Sequence, residues 1–130
     1  MRGWIAVDLD GTLAQYDGWR GEAHIGDPVG PMVDRVRAWL AAGHDVRIFT
    51  ARVARSHGTN DAGDVDDDAF AARQIARIEA WCNRHLGVVL PITATKDLAM
   101  ICLYDDRCVQ VETNTGQLIE RAVPVSEGDS

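Results

Sequence analysis

Short apolar runs alternate along the chain with longer amphipathic ones. Trp4-Ile5-Ala6-Val7 is wholly apolar and closes on Asp8, the pattern of a strand buried on both faces. Residues 14–31 are rich in Gly and Pro and lack periodicity, which predicts a loop or a small flap. From Pro31 the period becomes helical, with Met32, Val33, Val36, Trp39 and Leu40 on one face. Pro31 suits the first turn of that helix, and Gly43 suits the position just past its end. Val46-Arg47-Ile48-Phe49 predicts a second strand ending at Thr50. A longer helix is expected from Asp68 to Leu86, with Phe70, Ile75, Ile78, Trp81, Cys82 and Leu86 facing inward and Gly87 ending it. Val88 to Thr93, interrupted by Pro91, is a third strand candidate, Met100 to Tyr104 a fourth, and Val109 to Val111 a fifth. From Ser126 onward the chain is polar and is expected to fray.

Strands alternating with helices predict an α/β fold: one Rossmann-like domain over residues 1–125, with a mostly parallel sheet and helices on both faces. The segments between strands hold a loop plus a helix each, leaving no room for a separate cap domain. Ligands of open parallel sheets bind beyond the carboxyl ends of the strands. The chemistry is therefore expected just after Val7, Phe49 and Tyr104.

Composition narrows the partners. A chain of 130 residues with a net charge of −7 disfavours a long non-specific nucleic-acid footprint, which needs clustered positive charge. It still permits a small phosphorylated ligand in a locally positive pocket. No apolar run is long enough to span a bilayer, and no leader-like segment follows Met1, so a cytoplasmic protein with no membrane partner is expected. Cys82, Cys102 and Cys108 are odd in number and lack zinc-site spacing. Free thiols in a reducing compartment are expected, with those in apolar segments buried. The acidic stretch 61–68 is expected to cap and stabilise the following helix rather than to hold a second metal.

The strand ends carry Asp8-Leu9-Asp10-Gly11-Thr12, Thr50-Ala51-Arg52 and Asp105-Asp106-Arg107, with Lys96 shortly before the fourth strand. Carboxylates converging at one sheet edge repel one another unless a cation compensates. An oxygen-rich site with few protein ligands suits Mg²⁺. Asp8 and Asp10 are two residues apart, so in extended chain both point the same way. One can attack phosphorus while the other handles the proton of the leaving group. Gly11 lets the chain turn sharply, and Thr12 can hold the turn with its hydroxyl.

These positions resemble the four motifs of the haloacid dehalogenase superfamily. Asp8 to Thr12 resembles the first motif, Val46 to Thr50 the second, Lys96 the third, and Leu103-Tyr104-Asp105-Asp106 the fourth. The resemblance implies a Mg²⁺-dependent phosphatase working through an aspartyl-phosphate on Asp8. Asp10 would then serve as general acid and base, with its backbone carbonyl on the metal. Thr50 would hold the transferring phosphoryl group and Lys96 would neutralise it. Lys96 is the single Lys beside 12 Arg, which fits a need for a compact ammonium. Of Asp105 and Asp106, one is expected to bind the metal and the other to support it, with Asp105 favoured as the first after the strand. Gly11, Thr12, Ala51, Arg52 and Arg107 are expected to bind substrate, the two arginines by gripping a second phosphate. Tyr16, Trp19 and His24 lie where the family carries a flap.

Thr50-Ala51-Arg52 followed by His57-Gly58-Thr59 is distantly similar to the phosphatase domain of polynucleotide kinases. The expected partner is thus a small phosphorylated substrate, foremost a nucleotide or a phosphorylated nucleic-acid end, with a sugar phosphate as the alternative. A receiver domain of signalling proteins combines similar residues, but places adjacent acids after its first strand; here the adjacent pair comes last. A non-catalytic relative that only binds a phosphorylated ligand is the remaining alternative.

Overall fold

The computed structural model describes residues 3–55 and 67–119. The elements are β1 (Trp4–Val7), α1 (Gly30–Ala41), β2 (Asp45–Phe49), a 3₁₀ turn (Ala51–Val53), α2 (Asp67–His85), β3 (Ile92–Thr93) and β4 (Met100–Tyr104). The four strands form one parallel sheet in the order β3-β2-β1-β4. This is the small single α/β, Rossmann-like architecture read from the alternation of patterns.

β1 is buried at all four positions and has a hydrogen-bonded neighbour on each side. Ile5 and Val7 lie in register with Val46 and Ile48 of β2. These four residues share a core with Met32, Val33 and Val36 of α1 and with Ala71, Ile78, Trp81 and Cys82 of α2. The two helices thus contribute to a common core on one side of the sheet, where the sequence reading had them on both. The reason is topological. Chain order and sheet order step the same way from β1 to β2 to β3, and crossovers of one hand then return along the same face.

α1 begins without a side-chain cap, and proline stands in its first turn, where a missing N–H costs nothing. α2 carries Asp67 and Asp68 in its first turn and Arg84 and His85 in its last, a charge order that complements the helix dipole. The helix-stabilising role read for the acidic stretch holds for these two residues. Asp64, Asp66, the His57-Gly58-Thr59 triplet and the tail from residue 126 lie outside the described residues.

One expected strand is shorter than its apolar run, and another does not form in the sheet. β3 is confined to Ile92–Thr93, beginning just after Pro91, whose carbonyl accepts the Ile48 amide at 2.8 Å. Val111 does not join the sheet but makes an isolated antiparallel bridge with Leu118. The intervening turn holds Asn114 and Gly116 at positive φ. Cys82 is buried as expected, whereas Cys102 is exposed because β4 is the outermost strand on its side.

Candidate active site

Parallel register builds the site. Val7 pairs with Tyr104, so the next residue of each strand, Asp8 and Asp105, emerges at the same edge. The Asp8 amide donates to the Tyr104 carbonyl at 2.9 Å and extends the ladder by one step. Oxygens of Asp8, Asp105 and Asp106 all lie within 4.8 Å of one another. Both members of the adjacent pair therefore join Asp8, where the sequence left the choice between them open.

Such a cluster is short of positive charge. The Asp8 carboxyl is pushed up to about 8, first by burial, then by the charge of Asp105 and by a hydrogen bond with Asp106 and its charge. Three hard oxygen donors that repel one another fit Mg²⁺, which takes few protein ligands and keeps several waters.

A tight turn follows Asp8. Leu9 and Leu13 are fully buried and anchor it, each burial contributing about 1.5–3 kcal/mol. Between them Gly11 adopts φ 91°, and a Cβ there would meet Asp106 Oδ2 at 2.5 Å. Thr12 accepts the Asp106 amide at 2.9 Å and donates to Asp106 Oδ1 at 3.2 Å. Gly11 and Thr12, read as substrate-binding residues, thus hold Asp106 against the first-strand turn. On the far side the Arg107 amide donates to Asp105 Oδ1 at 2.7 Å.

Asp10 stands apart from the three-carboxylate group. Both its oxygens accept from Arg52, Oδ2 from Nε at 2.7 Å and Oδ1 from Nη2 at 3.0 Å. The sequence places Arg52 on a substrate phosphate. In the structure it is buried, and its remaining donors go to Gln74 Oε1 and to the carbonyls of Glu22 and His24. A guanidinium committed this fully has no N–H left for a ligand.

Thr50 is buried at the carboxyl end of β2, and its Oγ1 accepts the Arg52 amide at 3.1 Å. The hydroxyl proton is left to donate elsewhere. Lys96 is exposed in the β3–β4 connection and is not among the residues that line the cleft. Among the described residues that line the cleft, Arg107 is the exposed cationic side chain.

The cleft measures about 590 Å³. Asp8, Asp10, Thr50, Ala51, Asp105 and Asp106 line one part of it, and Tyr16, Trp19, Phe49 and Phe70 another. Tyr16 and Trp19 come from the flap segment, as read from the sequence; His24 is fastened there by its carbonyl instead. Gln74 was missed. Its signal was a polar residue on the buried stripe of α2, with Ala71, Ile78, Trp81 and Cys82.

Fold and cluster together define a small parallel α/β domain with a candidate cation site at its strand ends. No family model matches the chain, and no curated protein matches it. Among solved structures, it is similar to a conserved protein from Bacteroides thetaiotaomicron, with a TM-score of 0.52 and 18% identity. That likeness covers 84% of this chain and 79% of the other, and it is a likeness of fold. No helix among the described residues is long and apolar enough to cross a membrane.

Proposed function

We propose that the chain is a Mg²⁺-dependent phosphohydrolase of the haloacid dehalogenase type, with Asp8 as its nucleophile. The observation that carries this reading is the gathering of Asp8, Asp105 and Asp106 within 4.8 Å at the ends of adjacent parallel strands. Mg²⁺ held by these three residues would supply the charge that lets an anionic phosphate approach an anionic nucleophile. An Asp8 oxygen attacks phosphorus and the bond from phosphorus to the leaving oxygen breaks. Asp10, two residues along and on the same cleft, gives a proton to the leaving oxygen. As a carboxylate it then takes a proton from the water that attacks phosphorus, and the bond from phosphorus to the Asp8 oxygen breaks to release phosphate. Thr50 donates its hydroxyl proton to the phosphoryl group, and Arg107 takes the neutralising part read for Lys96. Positioning and charge compensation suffice for such chemistry, since phosphoryl transfer needs little covalent help.

The aromatic wall favours a substrate with a planar ring. Four of the chain's eight Trp, Tyr and Phe residues line this one cleft. Its volume exceeds what a bare phosphate fills, and a nucleotide or the terminal nucleotide of a nucleic acid offers both groups.

The test is hydrolysis of p-nitrophenyl phosphate by the purified protein with Mg²⁺. Turnover should vanish with EDTA and with Asp8→Asn. Full turnover by Asp8→Asn would remove the nucleophile from this account.

A further inference from the structure

Arg52 uses every donor it has. A guanidinium carries five N–H groups. Two go to Asp10 (2.7 and 3.0 Å), one to Gln74 Oε1 (2.9 Å), and one each to the carbonyls of Glu22 (3.4 Å) and His24 (2.7 Å). The Trp19 ring covers its face, with Cζ 5.0 Å from the ring centroid. These acceptors come from three separate parts of the chain: the turn after β1, the flap segment and α2.

We propose that Arg52 is a positioning residue that fixes the Asp10 carboxylate and, with the same guanidinium, fastens the Glu22–His24 segment to α2. Gln74 completes the junction. It is fully buried and, besides accepting from Arg52, donates Nε2 to the Glu22 carbonyl at 3.1 Å. From outside, the Glu22 carboxylate pairs with Arg73 at 2.7 Å and with Arg77 at 3.7 Å. The segment that carries Tyr16 and Trp19 is therefore a braced wall of the cleft. Part of its bracing and the aim of Asp10 share the Arg52 side chain, so neither contact can shift without leaving a buried cationic donor unpaired.

Arg52→Lys tests this, since it keeps the charge but replaces a planar five-donor fork with three rotatable donors. Amide hydrogen exchange should quicken in residues 9–14 and 15–28, while α1 and β1 keep their protection. Rates with p-nitrophenyl phosphate and Mg²⁺ should show kcat and kcat/KM falling together by about 100-fold, the cost of a misplaced catalytic group. A rise in KM with kcat preserved would make Arg52 a phosphate ligand and overturn the proposal, as would unchanged exchange in both segments. Should Arg52→Lys fail to fold, Gln74→Met removes one acceptor and one donor of the same junction; unchanged exchange in residues 15–28 then overturns it. The kinetic arm rests on the phosphohydrolase reading and the exchange arm does not. A wild-type chain inert toward phosphate esters, with a loosened Arg52→Lys, would sink the function and uphold the junction.

Discussion

Thr12 and Asp106 bond to each other twice: the Thr12 hydroxyl accepts the Asp106 amide at 2.9 Å and donates to its Oδ1 at 3.2 Å. The residues are 94 positions apart in sequence, so this pair ties the turn after β1 to the turn after β4. Thr12→Val keeps the shape and removes both bonds. Residues that orient metal ligands typically contribute 10–100-fold to affinity. Mg²⁺ binding to Thr12→Val, followed by isothermal titration calorimetry, is expected to weaken by about that factor. Unchanged affinity would mean that Asp106 needs no such support.

Gly11 leaves no room for a side chain. Its φ of 91° disfavours any L-residue, and an added Cβ would sit 2.5 Å from Asp106 Oδ2. Gly11→Ala is expected to lose more than about 1 kcal/mol in urea unfolding. It should also displace Asp106 and weaken Mg²⁺ binding. Wild-type stability and binding together would contradict the packing described for this turn.

Proton and cation compete for the carboxylate cluster. In the metal-free chain the Asp8 carboxyl sits at about 8, against an ordinary value of 3.8. A carboxyl raised in this way stabilises the fold while protonated. Its contribution is complete below 3.8 and is lost as pH climbs toward 8. The melting temperature of the metal-free protein should fall across that window, and Asp8→Asn should flatten the slope. Glu22, Asp45 and Asp97 are shifted downward by their partners, so they act in the opposite sense and only in acid. Added Mg²⁺ should raise the melting temperature more near pH 8 than near about pH 5. No response to Mg²⁺ at the higher pH would count against a cation at these residues.

Arg107 and Lys96 can be set against each other. Arg107 lines the cleft, whereas Lys96 does not. A charged hydrogen bond contributes about 1.5–3 kcal/mol, so Arg107→Gln should lower kcat/KM about tenfold or more. Lys96→Gln should fall much less. The reverse order would show that the β3–β4 connection swings Lys96 onto the phosphate.

Tyr16 reports on the ring. Stacking on an aromatic side chain contributes about 1–3 kcal/mol per base. Tyr16→Ala is expected to raise KM for a nucleoside monophosphate while leaving KM for a sugar phosphate unchanged. Equal effects on both would argue against stacking.

Much of this arrangement was legible in the chain. Trp4–Val7 and Met100–Tyr104 form strands at the bounds their apolar runs indicate, and parallel order then brings Asp8 and Asp105 together. The helical period located Met32, Val33, Val36, Ile78 and Cys82 in the core. Arg52 was misread for a physical reason. Two of its acceptors are backbone carbonyls of a loop, which leave no trace in residue type, and a third is a Gln brought over by long-range packing. Lys96 lies in an irregular connection, where periodicity says nothing about the direction of a side chain. Val109–Val111 looked like a strand, but a turn with Asn114 and Gly116 at positive φ folds that segment back on Leu118.

Two of the three clustered carboxylates follow β4, which hydrogen-bonds to the sheet through β1 alone. An outermost ladder opens more readily than an inner one. The centre therefore inherits the lifetime of its weaker half: when β4 peels away, the acids scatter while the hydrophobic interior stays whole. A cation bridging both turns would act as a rivet, so occupancy and integrity of the site become the same event.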